Sequence, residues 1–541
     1  MTGINEIDPR SLKDGLADGM EIAVLDVRDL GAFTRGHLWL AVNLPYARLE
    51  LRVRRFVPRL ATRIVLCDQD DGLARRAAEA LQHMGYDDIS ILRGGVTSWR
   101  DDGFDLVDGN YVIAHCFGFF LNQHYRTPAI EAAELEAKIE AGEDLVILDS
   151  RPPEDHRLAS IPGSISAPVA EAVQRISDIA PNPETQIVVH CGGVTRGVLG
   201  AQTLILAGVS NPIWALRDGT KGWLSAGLTL QSGAIDPNDP ISAAARSFAS
   251  AAGKRMAERF ALNYITPAAL DVWRGDAEQR TTYVIDVRSP EEYRSAHYPG
   301  ALSIPGGELA GMTIDHLATR NARLCLIADE GSGRAEITAT WMLHLGWPEV
   351  AILQAWDTLT DLGSGSEPDC GATADQVNMS SLSPDELAER QKTQNPVIID
   401  FTHSQSYEAG HIPGAGWMLR SNLPGAISKL PEADCYVVTS PTGRVAKLIA
   451  AEMTSMTTVP VLVLSGGTEA WQAAGLDLHS GMQRPFSPID DVDSVVAAPP
   501  EEDPGAKQNI HARYNAWRRG LFDQYKQQGL SEFRIPVGGG G

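Results

Sequence analysis

The sequence predicts an α/β protein of four tandem units, each a mainly parallel sheet flanked by helices. Three observations predict it. A hydrophobic strand ending in Asp occurs four times, in AVLDVR (Asp26), LVILDS (Asp149), YVIDVR (Asp286) and PVIIDF (Asp400). Eleven residues after each Asp stands a matched position, His37, Ser160, His297 and His411, followed in the last three copies by Pro-Gly one residue on. Each copy then alternates β-branched runs with helix-period segments, which requires crossover connections and a buried parallel sheet.

In chain order, the second β-branched runs are RIVLCD, QIVVHC, RLCLIAD and CYVVTS. A short polar or Gly-containing loop follows each, then a helical segment such as ARRAAEALQHMGY or GVLGAQTLILAGV. A third strand leads into ILRGGVTSW, ALRDGTKGW and VLSGGTEAW, with the degraded AILQAWDTL in the third copy. The Asp positions lie 114 to 137 residues apart, about one small domain each. The expected division is 1–108, 128–234, 264–365 and 378–480, with linker helices at 109–127 and 235–263. Residues 481–541 read as a linker, a helical tail and a floppy glycine end, Gly538 to Gly541.

Composition narrows the function. Apolar residues make up 43% of the 541 and charged residues 21%, an ordinary globular balance. The net charge is −23, with no basic stripe interleaved with aromatics, which argues against nucleic acid and anionic membranes as partners. No signal peptide and no membrane-length apolar run is present, so a cytoplasmic protein is expected. The six cysteines, Cys67, Cys116, Cys191, Cys325, Cys370 and Cys435, form no C-x-x-C pair and no zinc-spaced cluster. They read as free thiols, and neither a metal nor an organic cofactor is implied.

The order D-x-R, G-H-I-P-G-A, strand–Cys–loop–helix, G-G-x-x-x-W resembles the rhodanese superfamily, and in particular its multidomain thiosulfate sulfurtransferases. DVRSPEEYRSAHYPGALSIP and SYEAGHIPGA carry its first signature, SGGTEAW and RGGVTSW its closing one. The likeness spans nearly all of residues 15–480. It implies an active loop that opens with a cysteine at a strand end, which aligns Asp68, Cys191, Asp329 and Ser440. Only the second unit then keeps the nucleophile, and the first, third and fourth are inactive. Cys67 falls one residue early and should face into the sheet; Cys325 and Cys435 read as small core residues.

The loop Cys191-Gly192-Gly193-Val194-Thr195-Arg196-Gly197 suits sulfur transfer. Two glycines let N–H groups turn inward as an anion nest, and the following helix adds its positive end. These donors and Arg196 should favour a Cys191 thiolate and bind an anionic donor. Val194 stands where many family loops carry a smaller or polar residue, which leaves substrate choice open. Arg151 matches the signature arginine, with substrate contact and a salt bridge to Asp149 or Glu154 as its two readings. Lys221, on the closing loop, either adds positive charge to the site or is simply solvated. His190 reads as a core histidine.

The expected activity is transfer of sulfane sulfur from thiosulfate, or a similar small anion, to cyanide or a thiol through a Cys191 persulfide. Mercaptopyruvate stays open as donor, as does a carrier role between persulfides and thiols. A non-catalytic repeat scaffold is the alternative if Cys191 is inaccessible. A phosphatase or arsenate reductase would need five residues between cysteine and arginine; only four, 192–195, are present.

Overall fold

The computed structural model describes residues 3–233, 240–371, 375–493, 504–530 (504–513 as backbone) and 532–536. The glycine end lies outside the described residues. Four five-stranded parallel sheets form, with one strand order in all four. In the second repeat the order across the sheet is Ala129–Ile130, Ile213–Leu216, Gln186–His190, Leu145–Asp149, Ile165–Ser166. Asp149 pairs in register with His190, so the repeated Asp stands at the carboxyl edge beside the residue that precedes Cys191.

The position eleven residues after each Asp recurs because it makes an antiparallel bridge to the end of its own repeat: His37 to Val107, Ser160 to Gln231, His297 to Gly363 and His411 to His479. Three of these histidines stack on an aromatic ring four residues earlier, with centroids 3.7–3.9 Å apart in the pairs Phe33–His37, Tyr293–His297 and Tyr407–His411. The second repeat exchanges the roles. His156 takes the aromatic's place, and Ser160 donates to Asp149 at 2.9 Å.

The sheets do not associate in chain order. Residues Met1–Asn110 with Asp369–Ala497 make one compact unit, and Tyr111–Pro368 with Ala498–Gly541 another. The first unit thus holds repeats one and four. Arg420 is 4% exposed there and grips the Glu50 carboxylate through both terminal nitrogens at 2.8 Å, while its Nε reaches Glu452 at 3.1 Å. The second unit holds repeats two and three. Helix Ala243–Phe260 packs on helices Val169–Ile179 and Arg334–His344, and the buried Trp341 indole donates to Thr203 at 2.9 Å. Helix Val112–Tyr125 packs on Thr195–Leu206, and the tail helix Pro504–Gln527 packs on Val112–Tyr125 and Gly219–Ser225. Among the described residues no helix is long and apolar enough to cross a membrane.

Repeats one to three neutralise the strand-end Asp with the arginine two residues on: Arg28, Arg151 and Arg288 each chelate it within 3.2 Å. Repeat four has Thr402 there. Asp400 is fully buried, its Oδ2 meets no partner, and burial pushes its carboxyl up to about 7. The native state therefore binds a proton the unfolded chain has released, and stability falls as pH rises from about 4 to about 7. Asp400→Asn is expected to stabilise the first unit by up to about 4 kcal/mol at pH 8. Near pH 4 it should change little. Urea unfolding of both proteins across that range checks the sign.

Candidate active site around Cys191

Strand Gln186–His190 ends in the buried core, and the chain turns at Cys191 into helix Thr195–Leu206. Cys191 itself is 3% exposed. The Gly193 N–H donates to its Sγ at 3.2 Å. Thr195 caps no backbone amide; its hydroxyl instead donates to the Ala114 carbonyl at 2.8 Å, tying the loop to helix Val112–Tyr125. Gly118 on that helix is required by the approach, since a Cβ there would press on Thr195.

The closing signature explains itself at this point. Gly219 has φ +55°, and a side chain there would collide with the Cys191 carbonyl; the next residue, Thr220, donates its N–H to that carbonyl at 2.8 Å. The closing loop thus clamps the cysteine loop from behind, and glycine alone fits. Gly95 and Gly467 stand equally close to Asp68 and Ser440. In repeat three Trp356 replaces that glycine, donates to the Ala328 carbonyl at 2.8 Å and carries Arg288 on its ring face at 4.4 Å. The AILQAWDTL sequence is a plugged version of the same turn.

The three repeats without cysteine show what the loop holds. In repeat one the Asp68 carboxylate accepts N–H bonds from Asp70 and Ala74, both at 2.9 Å. These are the second and sixth residues on, and in repeat two they correspond to Gly193 and Gly197. Ser440 accepts from Ala446, again six on, at 3.3 Å. Asp329 is instead drawn to Arg334 at 2.7 Å and Arg288 at 3.2 Å. The loop is an anion nest that repeat one fills with its own side chain. In repeat one the Asp68 carboxyl itself stands where an anion would bind, with burial raising its pKa above the usual carboxylate value.

Arg151 chelates Asp149, with Nη2 to Oδ2 at 2.7 Å, and donates to the Ala159 carbonyl. Its stem also lies beside the loop, where a Cβ on Gly192 would be 3.8 Å from Cδ. In repeats one and three the equivalent Nη1 reaches the loop, at Gln69 and Asp329. In repeat two Nη1 makes no hydrogen bond among the described residues. Arg196 is committed elsewhere, to Glu308 of repeat three at 2.6 Å and to Asp155 at 3.8 Å. Burial opposes its charge, yet Glu308 and then Cys191 hold its pKa above the usual value. Lys221 sits 3.5 Å above the Tyr514 ring of the tail helix. Val194 is the residue before the helix and adds no side-chain hydrogen bond to the loop.

His190 is fully buried, 3.8 Å from Asp149, with its pKa lowered to about 4 chiefly by burial. Asp149, although burial opposes it, is kept low by His190 and Arg151. Cys67, Cys325 and Cys435 lie in hydrophobic clusters of their own repeats. Burial pushes the Cys325 thiol up to about 12 and the Cys67 thiol well above its ordinary value, so neither is a nucleophile near neutral pH.

Two contributors to the site escaped the sequence. Glu308 comes from another repeat, and Arg518 comes from the tail, where its Nη2 donates to Asp218 of the closing loop at 2.8 Å. The tail's helical pattern with aromatics was legible; where it docks was not.

Comparison with known proteins agrees with this fold. A rhodanese-like domain model matches residues 8–102, 131–226, 266–355 and 383–474. A thiosulfate sulfurtransferase structure from Pseudomonas aeruginosa superposes with TM-score 0.92 at 36% identity, over 98% of this chain and 100% of that one. A sulfurtransferase of Allochromatium vinosum is 28% identical over 104 residues, covering 19% of this chain and 95% of its own length. The putative sulfur carrier protein YrkF of Bacillus subtilis is 32% identical over 96 residues, 17% of this chain and 51% of that protein.

Proposed function

Because the chain belongs to the rhodanese family, we propose that it moves sulfane sulfur from thiosulfate, or a similarly small anionic donor, to cyanide or a thiol through Cys191. The observation that carries this reading is the shared nest. Two loop amides hold the Asp68 carboxylate in repeat one, and the counterpart of the first, the Gly193 N–H, donates to the Cys191 sulfur in repeat two. A loop amide that donates to a carboxylate can donate equally to a thiolate or to its persulfide, both anions.

In the first step the Cys191 thiolate attacks the outer sulfur of thiosulfate. An Sγ–S bond forms, the thiosulfate S–S bond breaks, and sulfite leaves with the bonding pair. Cyanide or a thiolate then takes the terminal sulfur, and Cys191 returns as thiolate. The Gly193 N–H holds the sulfur's charge. Arg151, locked by Asp149, offers its remaining terminal nitrogen to the donor. Arg196 and Lys221 act at longer range, through field rather than contact. At 3% exposure Cys191 also meets the condition set for a non-catalytic scaffold, and sulfur uptake separates the two readings. A cytoplasmic setting would keep the Cys191 thiol reduced for this chemistry.

Incubation with thiosulfate followed by intact-mass measurement is expected to show one added sulfur, removed by cyanide. No addition, or two and more, overturns the single-site reading.

A further inference from the structure

One buried guanidinium beside the cysteine loop is only partly satisfied by protein partners. Arg518, on the tail helix, is 1% exposed. Its Nη2 donates to Asp218 and Asn515, while Nε and Nη1 meet no acceptor among the described residues. Nη1 lies directly against the loop: a Cβ on Gly193 would collide with it. Gly193 is the residue whose N–H reaches the Cys191 sulfur. A buried charge with unmet donors is costly unless it serves a ligand.

The surroundings favour an anion. Lys221 and Arg518 share one ring, Tyr514, at 3.5 and 4.9 Å. His115, 3.1 Å from the Tyr514 hydroxyl, has its pKa pushed down to about 3 by burial, then by Arg518 and Lys221. Asp218 is the carboxylate paired with Arg518. Arg196 is spent on Glu308. A planar guanidinium with donors to spare matches an oxyanion such as a sulfonate.

We propose that Arg518 is a substrate-binding residue of the Cys191 site, holding the oxyanion end of the sulfur donor. The tail helix thereby completes a site whose cysteine lies in the second repeat. This rests on the sulfur-transfer reading above.

Full-length Arg518→Gln is expected to raise the KM for thiosulfate about tenfold. Discharge of a preformed persulfide to a neutral thiol should be unaffected. Arg518→Lys should recover part of the loss. A drop in kcat together with Tm at unchanged KM would mean a structural role and overturn the proposal. So would a wild-type KM and loading rate in Arg518→Gln. If wild-type protein takes up no sulfur, the transfer reading fails, and sulfate decides Arg518 separately. Sulfate should raise the Tm of Cys191→Ser but not that of Cys191→Ser/Arg518→Gln; equal shifts overturn the assignment.

Discussion

Cys191→Ser is expected to abolish thiosulfate:cyanide turnover, by at least about a thousandfold, because a hydroxyl cannot form the persulfide and no adjacent base activates it. Cys67→Ser should leave turnover intact. Cys67 is fully buried between the sheet and the helices of repeat one, in the other compact unit. The contrast matters because Cys67 closes its strand, whereas Cys191 stands one residue past the end of its own. At Asp68 the nest is already occupied, and Cys67 faces the core. Steady-state rates of the two purified variants decide it: loss in Cys67→Ser with survival of Cys191→Ser reverses the register.

Arg420→Ala should cost the first unit about 3–5 kcal/mol, the largest stability effect expected of any single substitution here. The substitution leaves Glu50, 5% exposed, without its counter-charge, and also strips a partner from Glu452. The Arg420 guanidinium further covers the Tyr46 ring at 4.1 Å, so packing is lost along with charge. Replacing both partners, as in Arg420→Met with Glu50→Leu, should restore much of the loss, since no buried charge then remains unpaired. Urea unfolding monitored on both variants separates the two results. The KM for thiosulfate should not move, because the second unit contains none of these residues.

The fold was readable because its signals are local. Strand-end Asp, the bridge position and the glycine clamp each follow from one repeat's own geometry, and four copies made the pattern visible. Cys191 and its loop were readable for the same reason. The fate of Arg196 was not, because Glu308 lies 112 residues away and nothing in the loop announces it. Arg151 turned out to serve Asp149 while leaving one nitrogen over, a division that composition cannot express. The association of repeats one with four, and two with three, depends on side chains such as Arg420 and Trp341 that no periodicity marks.

During synthesis the N-terminal repeat emerges long before its partner exists. Glu50 must wait 370 residues for Arg420. The middle of the chain, residues 111–368, is by contrast continuous and can condense while the ribosome is still at work, its closing helix arriving last. Loop closure over such a span costs only logarithmically more than over a short one, but it delays the encounter. Refolding of the full chain should therefore be biphasic, with the interior pair forming ahead of the terminal pair.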